Sequence, residues 1–201
     1  VEKPNRVVIT GDLIDKIAWL PQVCERLTTF AKQIPDGVDF ILGNHEYHHD
    51  VNKVLDELKH NTPMNILVNS NIQIMGGKQP VYIAGVAYDN DREKEKREAM
   101  IDKALSGIPD YAFVILLAHH PEFFEEAIER KIPLTLSGHT HGGQIVFMGM
   151  PLVPTGTPYT KGRYVEEQSV CYVNNGSGHW FPIRINCPRE ITVITFFDGV
   201  A

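Results

Sequence analysis

Over the first two thirds of the chain, short apolar runs alternate with stretches of helical spacing. Arg6–Thr10 (RVVIT) reads as a buried strand. Lys16–Ile34 places Ile17, Leu20, Cys24, Leu27, Phe30 and Ala31 on one helical face before Pro35 ends it. Asp39–Leu42 predicts a second strand and Val51–His60 a short helix, with further strands over Ile66–Val68, Ile72–Met75 and Val81–Ala87. Arg92–Leu105 predicts a charged helix, its DREKEKRE run being a solvated face laced with i,i+4 pairs. Phe113–Ala118 (FVILLA) is the most hydrophobic strand, followed by a helix over Glu122–Lys131 and a strand over Leu134–Leu136. From Arg163 onward the pattern turns to β, with Tyr164–Val165, Val170–Asn174, Ile183–Ile185 and Ile191–Phe197. Mixed β/α followed by a run of strands predicts two packed sheets with helices outside. No repeat, low-complexity tract or Gly/Ser linker interrupts the chain, so residues 1–201 are expected to form one domain.

Composition narrows this picture little. The 201 residues can bury a substantial core, and 43% hydrophobic against 22% charged is an ordinary globular balance. A net charge of -6 without a basic stripe argues against a nucleic-acid partner. Cys24, Cys171 and Cys187 are too scattered for a disulfide framework or a CxxC metal site, which predicts buried thiols in a reducing compartment. No run approaches the ~20 apolar residues of a membrane span, and no signal peptide is visible. The chain opens at Val1 and enters a strand almost at once, so its true beginning is expected to lie upstream. Location stays open between cytoplasm and cell envelope, and the oligomeric state is open too.

Candidate chemistry gathers at four strand ends. They are Gly11-Asp12-Leu13-Ile14-Asp15, Gly43-Asn44-His45-Glu46, His119-His120-Pro121 and Gly138-His139-Thr140-His141. In α/β sheets, ligand sites form beyond the carboxyl ends of strands. Ends that supply Asp, Asn, His and His-x-His would make a nitrogen/oxygen cage without thiolate, suited to Mn²⁺, Fe or Zn²⁺. Singly, Gly-Asp or Gly-Asn-His is more often a turn or a helix cap. The four together, in this order, turn the balance towards a metal site.

The series GDxxD, GNH[DE], a strand-end His and GHTH resembles that of the calcineurin-like metallophosphoesterases. GHTHGGQ and the later NGSGHWFPIRINCPREITVITF are similar to one bacterial branch, whose members cleave phosphodiester or pyrophosphate bonds, some in cell-envelope lipid intermediates. The resemblance implies an α/β fold, a four-layer αββα sandwich, with two divalent metal ions (Mn, Fe or Zn) at the sheet ends. It implies that Asp12 bridges both ions, that Asn44, His119 and His139 complete one site, and that His141 serves the other. It implies further that His45 sits over a substrate phosphate with Asp15 holding its imidazole. In such a site two ions clamp the phosphoryl group, activate a water and neutralise the leaving oxygen.

The family's first strand ends in Asp-x-His, and no such pair precedes Asp12. One metal site is therefore expected to be complete and the other to keep only Asp12 and His141. The intact later motifs favour a chain that lacks its first strand over a degenerate member. The place beside Val7–Ile9 is then expected to lie open, and the chain as given to be nearly inactive. His48 and His49 read as surface residues, with pocket lining as the alternative, His60 as solvent-facing, and His120 as a neighbour of the ligand at His119. His179, Trp180 and Arg184 fall in the C-terminal loop, where His179 and Arg184 are candidates for touching substrate, against plain packing. Asn175-Gly176-Ser177 matches a glycosylation sequon but reads as a turn. The same fold also serves as a non-catalytic scaffold, so a protein-binding module is the rival reading.

Overall fold

In the computed structural model, which describes residues 2–75, 79–87 and 93–197, the apolar runs become two stacked sheets. β1 (Val7–Ile9), β2 (Val38–Phe40) and β3 (Asn65–Ile66) pair in parallel in that order. They are linked by α1 (Leu20–Ala31), α2 (Asn44–Tyr47) and α3 (Val51–Asn61). The next strands are β4 (Ser70–Met75), β5 (Val81–Gly85), β6 (Phe113–Leu117) and β7 (Leu134–Ser137). A small hairpin, β8 (Val146–Phe147) with β9 (Met150–Pro151), precedes β10 (Gly162–Glu166) and β11 (Ser169–Val173). The larger sheet has the order β10-β11-β7-β6-β5-β4, with β11, β7, β6 and β5 parallel and the two outer strands antiparallel. α4 (Lys94–Leu105) and α5 (Phe123–Glu129) follow β5 and β6.

Alternation along single strands explains the layering, because successive side chains leave a strand on opposite faces. Val7 and Ile9 join the cluster of Leu20, Cys24, Val54 and Leu58 beneath α1 and α3. Val8, between them, joins Ile41, Ile83, Ile115 and Leu117 in the seam between the sheets. On β6, Ile115 and Leu117 face that seam, while Val114 and Leu116 pack with Ile101, Phe124 and Ala127 of α4 and α5. The result is helix, sheet, sheet, helix: the expected αββα sandwich. Burying each such aliphatic or aromatic side chain contributes roughly 1.5–3 kcal/mol.

Three elements differ from the sequence expectation. The helix foreseen over 16–34 begins as a 3₁₀ turn at Ile17–Trp19 and becomes α-helical at Leu20, with Pro21 in the first turn, where a missing N–H costs nothing. Ile183–Ile185 is not a strand and makes one bridge, Ile145 to Ile185. Ile191–Phe197 joins no ladder, and Ile191 and Phe197 are each 86% exposed. The expected start of α4 at Arg92 lies outside the described residues. Cys24, Cys171 and Cys187 are free and buried, and burial pushes the Cys171 thiol up to about 12. No helix among the described residues is long and apolar enough to cross a membrane.

Candidate metal centre

Parallel strands deliver their carboxyl ends to one edge, and both sheets do so at the same place. β1 leads to Asp12, β2 to Asn44 and His45, β6 to His119 and His120, and β7 to His139. Two glycines let these loops meet. A Cβ on Gly11 would stand 2.7 Å from the Gly43 Cα, and one on Gly43 would overlap Asp12 and approach His119 Cε1 to 2.8 Å.

Asp12, His139 and His141 adopt φ of 57°, 67° and 50°, left-handed values that cost a non-glycine residue about 1–3 kcal/mol each. Neighbours must hold them there, and for Asp12 the holder is Glu46. Its fully buried carboxylate accepts N–H bonds from Gly43 (2.7 Å), Asp12 (3.0 Å), Leu13 (2.7 Å) and Ile14 (2.9 Å). One side chain on α2 thus ties the β1 loop to the β2 loop. Asp12 Oδ1 in turn accepts the His45 N–H at 2.9 Å, which leaves Oδ2 pointing at the histidines.

Four ligand-type atoms converge. His119 Nε2 stands 3.0 Å from Asn44 Oδ1, 3.2 Å from Asp12 Oδ2 and 3.2 Å from His139 Nδ1. His139 Nδ1 is 2.9 Å from Asn44 Oδ1. His119 Nδ1 donates to the Thr10 carbonyl at 2.6 Å, which aims its Nε2 at the other three atoms. Atoms bonded to one ion at about 2.0–2.2 Å stand roughly 3 Å apart, so the spacing matches the edges of one coordination shell. The donor set fits a divalent ion.

Electrostatics point the same way. Burial pulls the His119 ring down, but its hydrogen bond to Asp12 and that residue's charge overcome this and raise it above its usual value. Burial raises Asp12, yet His119 and His45 hold its carboxyl below the usual carboxylate range. Asp12 therefore stays ionised and supplies the negative charge of the cluster. His139 is pushed down to about 3 by burial and by His120 and His119, so its ring is neutral near pH 7. His141 is pushed down to about 4, by burial first and the Arg184 charge second.

Around this centre, His45 Nδ1 lies 3.0 Å from Asp15 Oδ1, and its Nε2 lies 4.0 Å from Asp12 Oδ2. His49 Nε2 reaches the Asp15 carbonyl at 3.0 Å, and the His48 ring tilts against His45 at 5.1 Å. His120 stacks on His139 with centroids 3.8 Å apart and turns its Nδ1 to Glu122 at 3.6 Å. Its nitrogens fall with those of His119 and His139 in a group compact enough to hold a metal. His141 lines a cavity with His139, Thr140, Gln144, Val153 and Trp180. Arg184 spends its guanidinium on backbone carbonyls, including those of Asn175 (2.8 Å) and Gly178 (2.7 Å). His179 is exposed and faces Arg189 Nη2 at 3.1 Å.

The structure thus brings together Asp12, Asn44, His119 and His139, with Asp15 against His45, and sets His179 against Arg189. Sequence reasoning missed Glu46 and the stacking of His120. The Glu46 signal was legible in principle, since an acid three residues after Gly43 has the spacing of a capping box.

Comparison with known proteins gives a consistent result. Residues 1–143 match the calcineurin-like phosphoesterase family. An uncharacterized metallophosphoesterase of Campylobacter jejuni is 36% identical over 202 residues, which is 96% of this chain and 51% of the relative. One from Bacillus subtilis is 32% identical, covering 96% and 68%. A transmembrane protein with metallophosphoesterase domain from Danio rerio is 32% identical, covering 95% and 45%. The chain spans about half the length of the first curated relatives it matches.

Proposed function

The chain belongs to the calcineurin-like phosphoesterase family, and from that premise we propose that it is a metal-dependent hydrolase of phosphodiester or pyrophosphate bonds. One observation carries the reading. His119 Nε2, Asn44 Oδ1, Asp12 Oδ2 and His139 Nδ1 converge, each 2.9–3.2 Å from at least one other, at the joint carboxyl edge of two sheets. These residues would hold one divalent ion (Mn, Fe or Zn), and Asp12 with His141 would contribute to a second. Bound there, divalent ions supply Lewis-acid stabilisation of charge on a phosphoryl group.

The remaining roles belong to this chain's own side chains. His45 is held by Asp15, which accepts from Nδ1–H and so leaves Nε2 to exchange a proton or hydrogen bond with a phosphoryl or leaving oxygen. Asp15 fixes the orientation of that ring. Glu46 keeps Asp12 in its left-handed turn, and the loop glycines leave room for a phosphate. We read residues 1–201 as one such domain of the bacterial GHTHGGQ branch. A substrate with an apolar portion, such as a cell-envelope lipid, is supported by Trp180 at the cavity and by exposed Phe147, Met148 and Met150 on the nearby hairpin.

The resemblance assigns two more ligands to the second ion, on an Asp-x-His strand. The test therefore uses this chain extended by such a strand ahead of β1. With Mn²⁺ it is expected to hydrolyse bis-p-nitrophenyl phosphate. His45→Ala is expected to lower kcat by roughly 10²–10⁴ while bound metal, read by elemental analysis, stays constant. Loss of metal in His45→Ala would move that residue among the ligands. No Mn²⁺-dependent hydrolysis at all would leave the non-catalytic scaffold.

A further inference from the structure

Beyond the metal centre the chain turns apolar side chains outward. The hairpin of β8 and β9 leaves Phe147, Met148 and Met150 exposed, Leu152 follows it, and the loop after β11 adds Trp180 and Ile183. The hairpin tip is a two-residue turn, since Phe147 pairs with Met150. Met148 and Gly149 there have φ of 48° and 83°, a turn that ordinarily takes Asn-Gly. Methionine is strained at that position and, at 83% exposure, gains little packing to offset the strain.

These side chains stand on a bonded base. Gln144, 1% exposed, donates through Nε2 to the carbonyls of Phe181 and Ile183, both at 2.9 Å, and accepts the Trp180 N–H at 2.7 Å. Val146 N donates to Ile185 O at 2.9 Å, and Asn186 Nδ2 to Val146 O at 3.0 Å. Hairpin and loop therefore form one unit, and Trp180 also lines the cavity shared with His139 and His141.

Charge selects what this unit meets. Residues 142–165 and 168–189, which build it, contain no Asp or Glu in a chain of net charge -6, and they carry Lys161, Arg163, Arg184 and Arg189. Gly162 pairs with Val173 at the carboxyl end of β11, which sets Lys161 and Arg163 at the edge where the metal centre lies. Glu166 pairs with Ser169 at the far end of that ladder, and Glu190 accepts from the Tyr172 hydroxyl and the Asn175 N–H. An apolar tip accompanied by cations and free of acids suits an anionic lipid surface. Apolar side chains enter the acyl boundary there, Trp sits among the headgroups, and each cation adds attraction. A protein groove of ordinary composition calls for no such exclusion of acids.

We propose that the β8–β9 hairpin and the Trp180 loop dock this protein on an anionic lipid surface, which brings the cavity beside His139 and His141 to the headgroups. The proposal deepens the reading of a lipid-bearing substrate and rests on it for what the cavity receives. Docking itself needs neither metal nor turnover.

The test is binding of the 201-residue chain, in chelator, to phosphatidylcholine vesicles containing phosphatidylglycerol at about one part in three. Trp19→Phe removes the other indole, so Trp180 is the reporter. Its emission is expected to shift to the blue on vesicle addition and to be quenched by lipids brominated on the acyl chain. Met148→Asn suits the turn better than methionine, so that variant should keep at least the wild-type melting temperature. Combined with Phe147→Thr, it should nevertheless weaken vesicle binding by about tenfold or more. Lys161→Gln with Arg163→Gln should weaken binding to the anionic vesicles and leave the weaker binding to pure phosphatidylcholine unchanged. Absence of vesicle binding overturns the proposal. So does binding that persists without Phe147 and Met148, which would place the contact elsewhere, as on the exposed residues 191–197. Self-association without vesicle binding, abolished by the hairpin substitutions, would overturn it by assigning the patch to a second copy. Hydrolysis is not read, so failure of the hydrolase reading leaves this result standing, and failure to bind leaves the metal centre untouched.

Discussion

At the residue scale the candidate site depends on a carboxylate that sequence reasoning passed over. Glu46 accepts four backbone N–H groups from two loops, and Asp12 sits in a strained turn between them. Replacing one oxygen by an amide leaves buried donors facing a donor, which costs about 1–3 kcal/mol. Glu46→Gln is therefore expected to lower stability by that amount, read by urea denaturation. It should also weaken Mn²⁺ binding by roughly 10–100-fold, because residues that orient ligands carry effects of that size. Unchanged metal affinity would show that Asp12 is held by other means. Protons give a second handle. The His141 pKa is lowered from 6.5 to about 4 on folding, so its stabilising contribution is complete above pH 6.5 and is lost as pH falls towards 4. His139, lowered to about 3, acts with the same sign, whereas the raised His119 acts with the opposite one. In chelator, His141→Asn is expected to show a shallower fall of melting temperature between pH 6.5 and 4 than the wild type. A steeper fall would contradict the sign.

At the scale of elements, periodicity was read well where a strand or helix lies inside the sandwich. RVVIT and FVILLA became β1 and β6 because their apolar side chains pack against hydrophobic clusters on both faces, and α3 starts where Asp50 accepts from the N–H groups of Asn52 and Lys53. The cluster of Asp12, Asn44, His119 and His139 was legible because each residue lies within four residues after the end of a strand. Pairing was not legible. Ile191–Phe197 alternates like a strand, but alternation records two faces and says nothing of a hydrogen-bonding neighbour, and this segment has no ladder. α2 was too short for any period to reveal, and the hairpin of β8 and β9 rests on two-residue strands. β1 pairs with β2 on one side and is the edge of its sheet among the described residues. An open, apolar edge invites association. Sedimentation velocity of residues 1–201 is expected to show association that grows with concentration. A single monomeric boundary over a wide concentration range would refute it.

For the whole molecule, the two sheets matter because they deliver side chains from distant parts of the chain to one edge. Asp12 and His139 are brought to the same nitrogen of His119 by strands on opposite sides of the inter-sheet seam. The proposed first-ion set lies within residues 12–139, whereas a second ion would draw on Asp12 and on a His141 that faces Arg184. Unequal sites are the central expectation. Calorimetric titration of the metal-stripped 201-residue chain with Mn²⁺ tests it most directly. The account predicts one tight ion, lost in Asn44→Ala and His119→Ala, followed by a second step at least tenfold weaker or by none. Two equally tight ions, or tight binding that survives both substitutions, would contradict it.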